Sequence, residues 1–223
     1  MDQSESSGEG APFRRYLPLF LLFFLASGCA ALIYEVVWFH LLRLVIGASA
    51  ISLAIVLTSY MGGMCLGSLA FPRWVSPDRP PLRVYAYLEA AIAAFGIALL
   101  VLLPLIGKLY LAIVGHGALG LILRAVVCLL CLLPPTILMG ATLPAIARCL
   151  DTTRSEMSQL GLLYMANLAG GVFGCLLAGF YLLRLYDGTV ATLFAVSLNA
   201  GVAAVAFSIS SSINLTLSTF SIK

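Results

Sequence analysis

The stretch YLPLFLLFFLASGCAALIYEVVWF, residues 16–39, decides the fold. It holds one charged residue, Glu35, and is as long as a single membrane crossing. A bilayer core about 30 Å thick needs roughly 20 apolar residues per helix. Further runs of the same kind follow, from about Ser49 to Phe71, Val84 to Ile106, Leu121 to Ala147, Met157 to Leu183 and Thr189 to Ile209. Over all 223 positions, 62% are apolar and 9% charged, and the mean hydropathy is +1.09. A water-soluble domain of this size exposes far more charge. The chain therefore reads as an all-α, polytopic membrane helix bundle of about six transmembrane helices over residues 16–210. Residues 1–15 form a polar N-terminal tail expected to be disordered. Residues 211–223 form a Ser-rich tail too short and too polar for another span.

These bounds exclude several function classes. The length leaves no room for a soluble domain beside the bundle. Net charge is +3 with no basic run, which excludes nucleic-acid binding. No metal or cofactor is expected, because no ligand spacing for either is present. Cys29, Cys65, Cys128, Cys131, Cys149 and Cys175 lie in or at the ends of apolar runs, so a disulfide framework does not fit. Cys128 and Cys131 have CxxC spacing but no basic neighbour to make a thiolate, and read as small packing residues. Arg14-Arg15, the run Leu17–Leu25 and Ala26-Ser27-Gly28-Cys29 imitate a lipoprotein signal. The run continues apolar through Ile33, so the segment reads as a retained helix.

Charge sets the expected orientation. With the N-terminus inside, Arg14, Arg15, Arg73, Arg79, Arg83, Arg148 and Arg154 face the cytoplasm. Arg43, Lys108, Arg124 and Arg184 face outward. That bias predicts a cytoplasmic N-terminus and, for six spans, a cytoplasmic C-terminus. The sequon Asn214-Leu-Thr216 would then lie on the inner face, where it has no meaning.

Residues that break the apolar rule are the candidates for function. Ser59, Gly63 and Gly67 recur every four positions in the second run, and Ala166, Gly170, Gly174 and Ala178 in the fifth. Such stripes let helix backbones approach closely in lipid. Pro134, Pro135 and Pro144 interrupt the fourth run and predict a kink, with Thr136 or Thr142 placed to satisfy freed carbonyls near Cys131. Glu35 and Glu89 lie inside apolar runs, where each costs about 2.5–3.5 kcal/mol at mid-bilayer, so both should face the bundle interior or lie near an interface. Glu35, His40 and Arg43 fall within about two helical turns and predict a polar cluster near the outer face, either a structural ion pair or a proton or cation site. Asn167 and Asn199 are expected to bond across helices.

Four stretches carry a resemblance. They are Ser27-Gly-Cys-Ala-Ala-Leu-Ile-Tyr-Glu35-Val-Val-Trp38-Phe-His-Leu-Leu-Arg43, Tyr60-Met-Gly-Gly-Met-Cys-Leu-Gly67-Ser-Leu, Leu133-Pro-Pro-Thr-Ile-Leu-Met-Gly140-Ala-Thr-Leu-Pro144 and Leu163-Tyr-Met-Ala-Asn167-Leu-Ala-Gly-Gly-Val-Phe-Gly174. Together they resemble the membrane domain of bacterial spermidine-synthase-like (polyamine aminopropyltransferase-like) membrane proteins. The resemblance implies a bundle like half of a major-facilitator transporter, in the bacterial cytoplasmic (inner) membrane. In that family such a domain commonly precedes a soluble aminopropyltransferase domain that uses decarboxylated S-adenosylmethionine. Here no soluble segment or nucleotide-binding loop is present, so no catalytic residue carries over. His40 stands where the family pattern has a basic residue, and Gly67–Arg73 lacks the acidic residue usual in the corresponding loop.

Three functions remain open at this point. The chain can be a non-catalytic membrane domain that anchors or accompanies a partner or missing aminopropyltransferase domain. It can be a polyamine or cation transporter half that dimerises through its small-residue stripes, with Glu35, Glu89, His40, Arg43 and Asn167 as the candidate ligand or proton site. It can be a structural or assembly subunit among other membrane subunits. Beyond the lipid bilayer, the expected partners are a second copy or other membrane subunits.

Overall fold

Apolar side chains repeating without long polar breaks leave the backbone one solution in lipid, which is to satisfy its hydrogen bonds internally as helices. The computed structural model describes residues 11–46, 49–76, 78–113, 118–148 and 154–220, and among them it contains helices and no strand. The helices are α1 (Ala11–Ile46), α2 (Ser49–Trp74), α3 (Pro81–Ile113), α4 (Ala118–Ala147) and α5 (Arg154–Leu176). A π-helical turn, Leu177–Leu182, joins α5 to the stub α6 (Leu183–Leu185), and α7 (Gly188–Phe220) closes the bundle. Six segments are long and apolar enough to cross a membrane: Leu17–Leu44, Leu53–Trp74, Pro81–Ile106, Val126–Ala147, Ser158–Leu185 and Gly188–Ser212. The protein is an integral membrane protein of the all-α polytopic class.

Several boundaries differ from the sequence reading. Residues 11–15 extend α1, and residues 211–220 extend α7, where a tail was expected. In α7 the hydroxyls of Ser208, Ser211 and Ser212 donate to carbonyls four residues back, so the serine-rich end satisfies itself within the helix. Residues 1–10 and 221–223, including Lys223, lie outside the described residues, as does Cys149. The fifth run is not one uniform helix. In the π turn the Leu183 N–H reaches the Ala178 carbonyl, five residues back, and no periodicity announced that.

Local chemistry places the connections. Pro81 starts α3 at a position where its missing N–H costs nothing, and the Arg83 and Val84 N–H groups donate to the Pro80 carbonyl. Asp187 caps α7, its Oδ1 accepting from the Val190 N–H at 2.9 Å. On one membrane face, Arg148 at the end of α4 donates to the Ser76 carbonyl at 3.2 Å and lies over the Phe71 ring, 4.4 Å from its centroid. That contact ties the α2–α3 connection to α4.

The helices pack mainly as three pairs, α1 with α5, α2 with α4 and α3 with α7. No member of a pair is the chain neighbour of the other as a span. Further contacts of α3 with α4 and of α1 with α7 join the pairs. One core cluster centres on Tyr34, Trp38, Leu99 and Leu132; the other centres on Phe24, Tyr85, Ile146 and Leu163.

Candidate functional site

Glycines build the first two pairs. A Cβ on Gly67 would collide with the Ile137 carbonyl of α4, and one on Gly140 with the Met64 carbonyl of α2. Gly63 faces the Thr136 side chain. In the other pair, Gly170 and Gly174 of α5 lie against the Leu25 and Cys29 carbonyls of α1, while Gly28 lies against the Asn167 carbonyl. The approach is backbone to backbone and leaves no room for any side chain. Ala166 is half-buried and Ala178 fully buried beside the same seam. Both stripes are thus occupied within the chain, and the route by which a second copy was to dimerise through them is closed. Gly28 and Gly140 complete the two seams and were not read as packing residues, since each stands alone in its run.

The proline-rich helix remains continuous. Helix α4 runs from Ala118 to Ala147 with Pro134, Pro135 and Pro144 inside it. The Thr136 Oγ1 lies 3.0 Å from the Leu132 carbonyl, 2.9 Å from that of Leu133 and 2.9 Å from that of Ser59 in α2. Thr142 donates to the Met139 carbonyl at 2.7 Å. Thr136 therefore serves the α2 seam as well as its own helix. Ser59 is buried, its hydroxyl donating to the Ile55 carbonyl at 2.6 Å.

Between the two glycine-built pairs lies a cleft of about 500 Å³. It is possible because α5 leans on α1 and makes no substantial contact with α2 or α4. Its walls are apolar at Leu32, Met64, Met139 and Val172, and polar at Ser27, Tyr60, Ser68, Thr142, Tyr164 and Asn167. No charged side chain is among its described lining residues. Met64 and Val172, at 40% and 62% exposure, line it near the middle of their spans. This exposed lining sits at the depth of the hydrocarbon core. The Asn167 Nδ2 donates to the Phe24 carbonyl across the α1–α5 seam at 3.3 Å.

Glu89 stands directly behind this wall. It is fully buried, and the Ser27 hydroxyl donates to its Oε1 at 2.7 Å. Glu89 Oε2 and the hydroxyls of Tyr34 and Tyr85 make no hydrogen bond. The Tyr85 hydroxyl is near both Glu89 and Ser27 without well-formed hydrogen-bond geometry to either, and Tyr34 is within electrostatic reach of the carboxyl. The rings of Phe24 and Tyr85 stack with centroids 5.8 Å apart, and those of Tyr34 and Trp38 at 5.3 Å, which fixes both tyrosines. No basic side chain pairs with Glu89 among the described residues. Tyr85 precedes Glu89 by four positions, one helical turn, and that spacing was the available signal. Nothing in the sequence pointed to Ser27, which comes from another helix.

The other candidates do not assemble. Glu35 is half-buried, His40 and Arg43 are exposed, and no ion pair joins them among the described residues. Instead Arg43 lies over the Phe39 ring, 5.8 Å from its centroid. Eight residues separate Glu35 from Arg43, a helical rise of about 12 Å, too far for the expected bridge. Glu35 acts electrostatically on Tyr60 but does not line the cleft. Asn199 is buried in α7, and its Oδ1 finds no hydrogen-bond partner, contrary to the expected cross-helix bond at that atom. Cys128 and Cys131, buried and half-buried, form no disulfide, and no metal cluster occurs among the described residues.

Comparison of the chain with protein-family models, with curated proteins and with solved structures finds no match. The class of the molecule rests on its helices, and its function on the cleft.

Proposed function

We propose that this chain is the non-catalytic membrane domain of a spermidine-synthase-like protein, anchoring or accompanying an aminopropyltransferase. One observation carries the reading. All four stretches that bear the resemblance contribute to the same cleft, through Ser27 and Leu32, Tyr60 and Met64, Met139 and Gly140, and Asn167 and Gly171. Segments far apart in sequence thus share one place in space, which supports a common design over scattered chance similarity. The Arg73, Arg79, Arg83 and Arg148 end of the bundle lies in the cytoplasm of a bacterial inner membrane in this reading, on the side of the transferase's cosubstrate. Arg148 bonded to Ser76 supports grouping those residues on one face.

Two measurements test it. Reporter fusions at Asp78 and Asp187 should report opposite sides, with Asp78 cytoplasmic. Chain purified from its native membrane should carry an aminopropyltransferase at fixed stoichiometry, and membrane-bound aminopropyl transfer to putrescine should depend on the chain. Purification without any transferase, in membranes that also lack that activity, would end the reading.

The buried carboxyl of Glu89 beside the cleft favours a second reading, a cation-transporting half. A polyamine suits that site poorly. It carries several charges, and a lining without charged side chains would leave most of them unpaired in a low-dielectric space. Protein-dependent polyamine uptake that is lost in Glu35→Gln and Glu89→Gln vesicles would favour this second reading over the first.

A further inference from the structure

We infer that the cleft between the α1–α5 and α2–α4 pairs is a binding site for a small lipophilic cation with a single amine. Ser27 and Glu89 receive its ammonium head. The inference concerns binding and does not depend on whether the chain anchors a transferase.

Three features of the molecule define this ligand. The first is charge. Glu89 is wholly buried, has one unpartnered oxygen and no basic partner, and is the acid connected to the cleft wall. An acid so placed wants one positive charge, and burying the pair together is far less costly than burying either alone. The second is geometry. Ser27 lines the cleft while giving its hydroxyl proton to Glu89 Oε1 at 2.7 Å, so its oxygen lone pairs remain free to accept from an ammonium N–H. An ammonium held there stands about 4–5 Å from the carboxylate, one ordinary hydrogen bond beyond the observed one. The Asn167 side-chain oxygen is a further acceptor at the wall, because its Nδ2 is committed to Phe24. The third is access. The exposed lining residues Met64 of α2 and Val172 of α5 lie mid-span, and the inferred mouth is there, so the ligand arrives by way of hydrocarbon. Its body must be apolar enough to partition and to lie along Leu32, Met64 and Met139. A cleft of about 500 Å³ has the size of ordinary small-molecule sites.

Glu35 marks the limit of the site. It lies two turns beyond Ser27 on α1 and is outside the lining, so it does not hold a second charge.

The test is saturation binding of radiolabelled 2-phenylethylamine to the full chain in nanodiscs, with empty nanodiscs subtracted. Saturable binding at one site per chain is expected. 2-Phenylethanol, of the same shape without the charge, should compete at least tenfold more weakly, and spermidine should not compete. Glu89→Gln should weaken binding at least tenfold, and Glu35→Gln should leave it within twofold. Met64→Trp fills the mouth while keeping Glu89, and should abolish binding in protein that still elutes and melts as a folded bundle. That variant decides the matter if Glu89→Gln fails to fold. Non-saturable binding, equal competition by the alcohol, tighter binding of 1,8-diaminooctane than of the monoamine, or full binding by folded Glu89→Gln or Met64→Trp would each overturn the inference.

Discussion

The α2–α4 and α3–α7 pairs solve the same problem by different means. In lipid, two helices gain nothing from hiding apolar surface, so contact must be made attractive by fit. The α2–α4 pair does so by omission, with Gly67 and Gly140 letting carbonyls approach closely and Gly63 making room for the Thr136 side chain. The α3–α7 pair does so with large groups. Tyr87 meets Phe207 edge-on with centroids 6.0 Å apart, and the Arg83 guanidinium lies 5.9 Å from the same ring centroid. Where Gly67 and Gly140 meet carbonyls, no rotamer can absorb an added group. A seam of rings at the surface can shift. The first kind is therefore brittle and the second tolerant.

The largest expected effect follows from that brittleness. Gly67→Leu and Gly174→Leu should each destabilise by about 3 kcal/mol or more and abolish folded protein on size exclusion. Gly62→Leu and Gly179→Leu, at positions with open space around them, should fold as the parent. Equal behaviour of Gly62→Leu and Gly67→Leu would break the comparison. Phe207→Ala comes next. It removes a ring contact and a cation–π contact at a 42% exposed position, and should cost about 1–2 kcal/mol in reversible unfolding from mixed micelles. Thr136→Val removes a hydroxyl that meets Ser59 across the α2–α4 seam, and should cost about 1 kcal/mol. Asn167→Leu gives the smallest effect, about 0.6 kcal/mol, because its bond to Phe24 is long at 3.3 Å. An Asn167 effect larger than that of Phe207 would mean that polar contacts, not fit, set the strength of the α1–α5 seam.

Much of this arrangement was legible in the chain. The spans follow from run length alone, and Gly63, Gly67, Gly170 and Gly174 announce themselves by their spacing. Their partners do not, because a stripe says that something comes close without saying which helix. Pro134 and Pro135 announce two missing N–H groups, and α4 stays helical across them. A missing N–H is a local fact, whereas helix continuity also depends on neighbours such as Ser59 that approach from elsewhere. The π turn left no mark because nothing in the spacing of side chains differs across Leu177–Leu182.

The two acids show the same limit. Glu35 and Glu89 look alike as single charges in apolar runs. In space one is half-buried and outside the cleft lining. The other is sealed behind Ser27 with two tyrosine hydroxyls nearby. The cost of burial could be read from the sequence, but Ser27, which donates to the carboxylate, and Tyr34 come from a different helix.

The pairing pattern also fixes an order of events during synthesis. Helix α1 enters the bilayer first, yet the helix that covers Gly28 emerges more than a hundred residues later. At ordinary translation rates that interval is on the order of ten seconds. Throughout it, the bare glycine face of the nascent span and its unshielded Glu35 lie open to whatever shares the membrane. A chain released before α5 has been made would leave that glycine face of α1 without its cover.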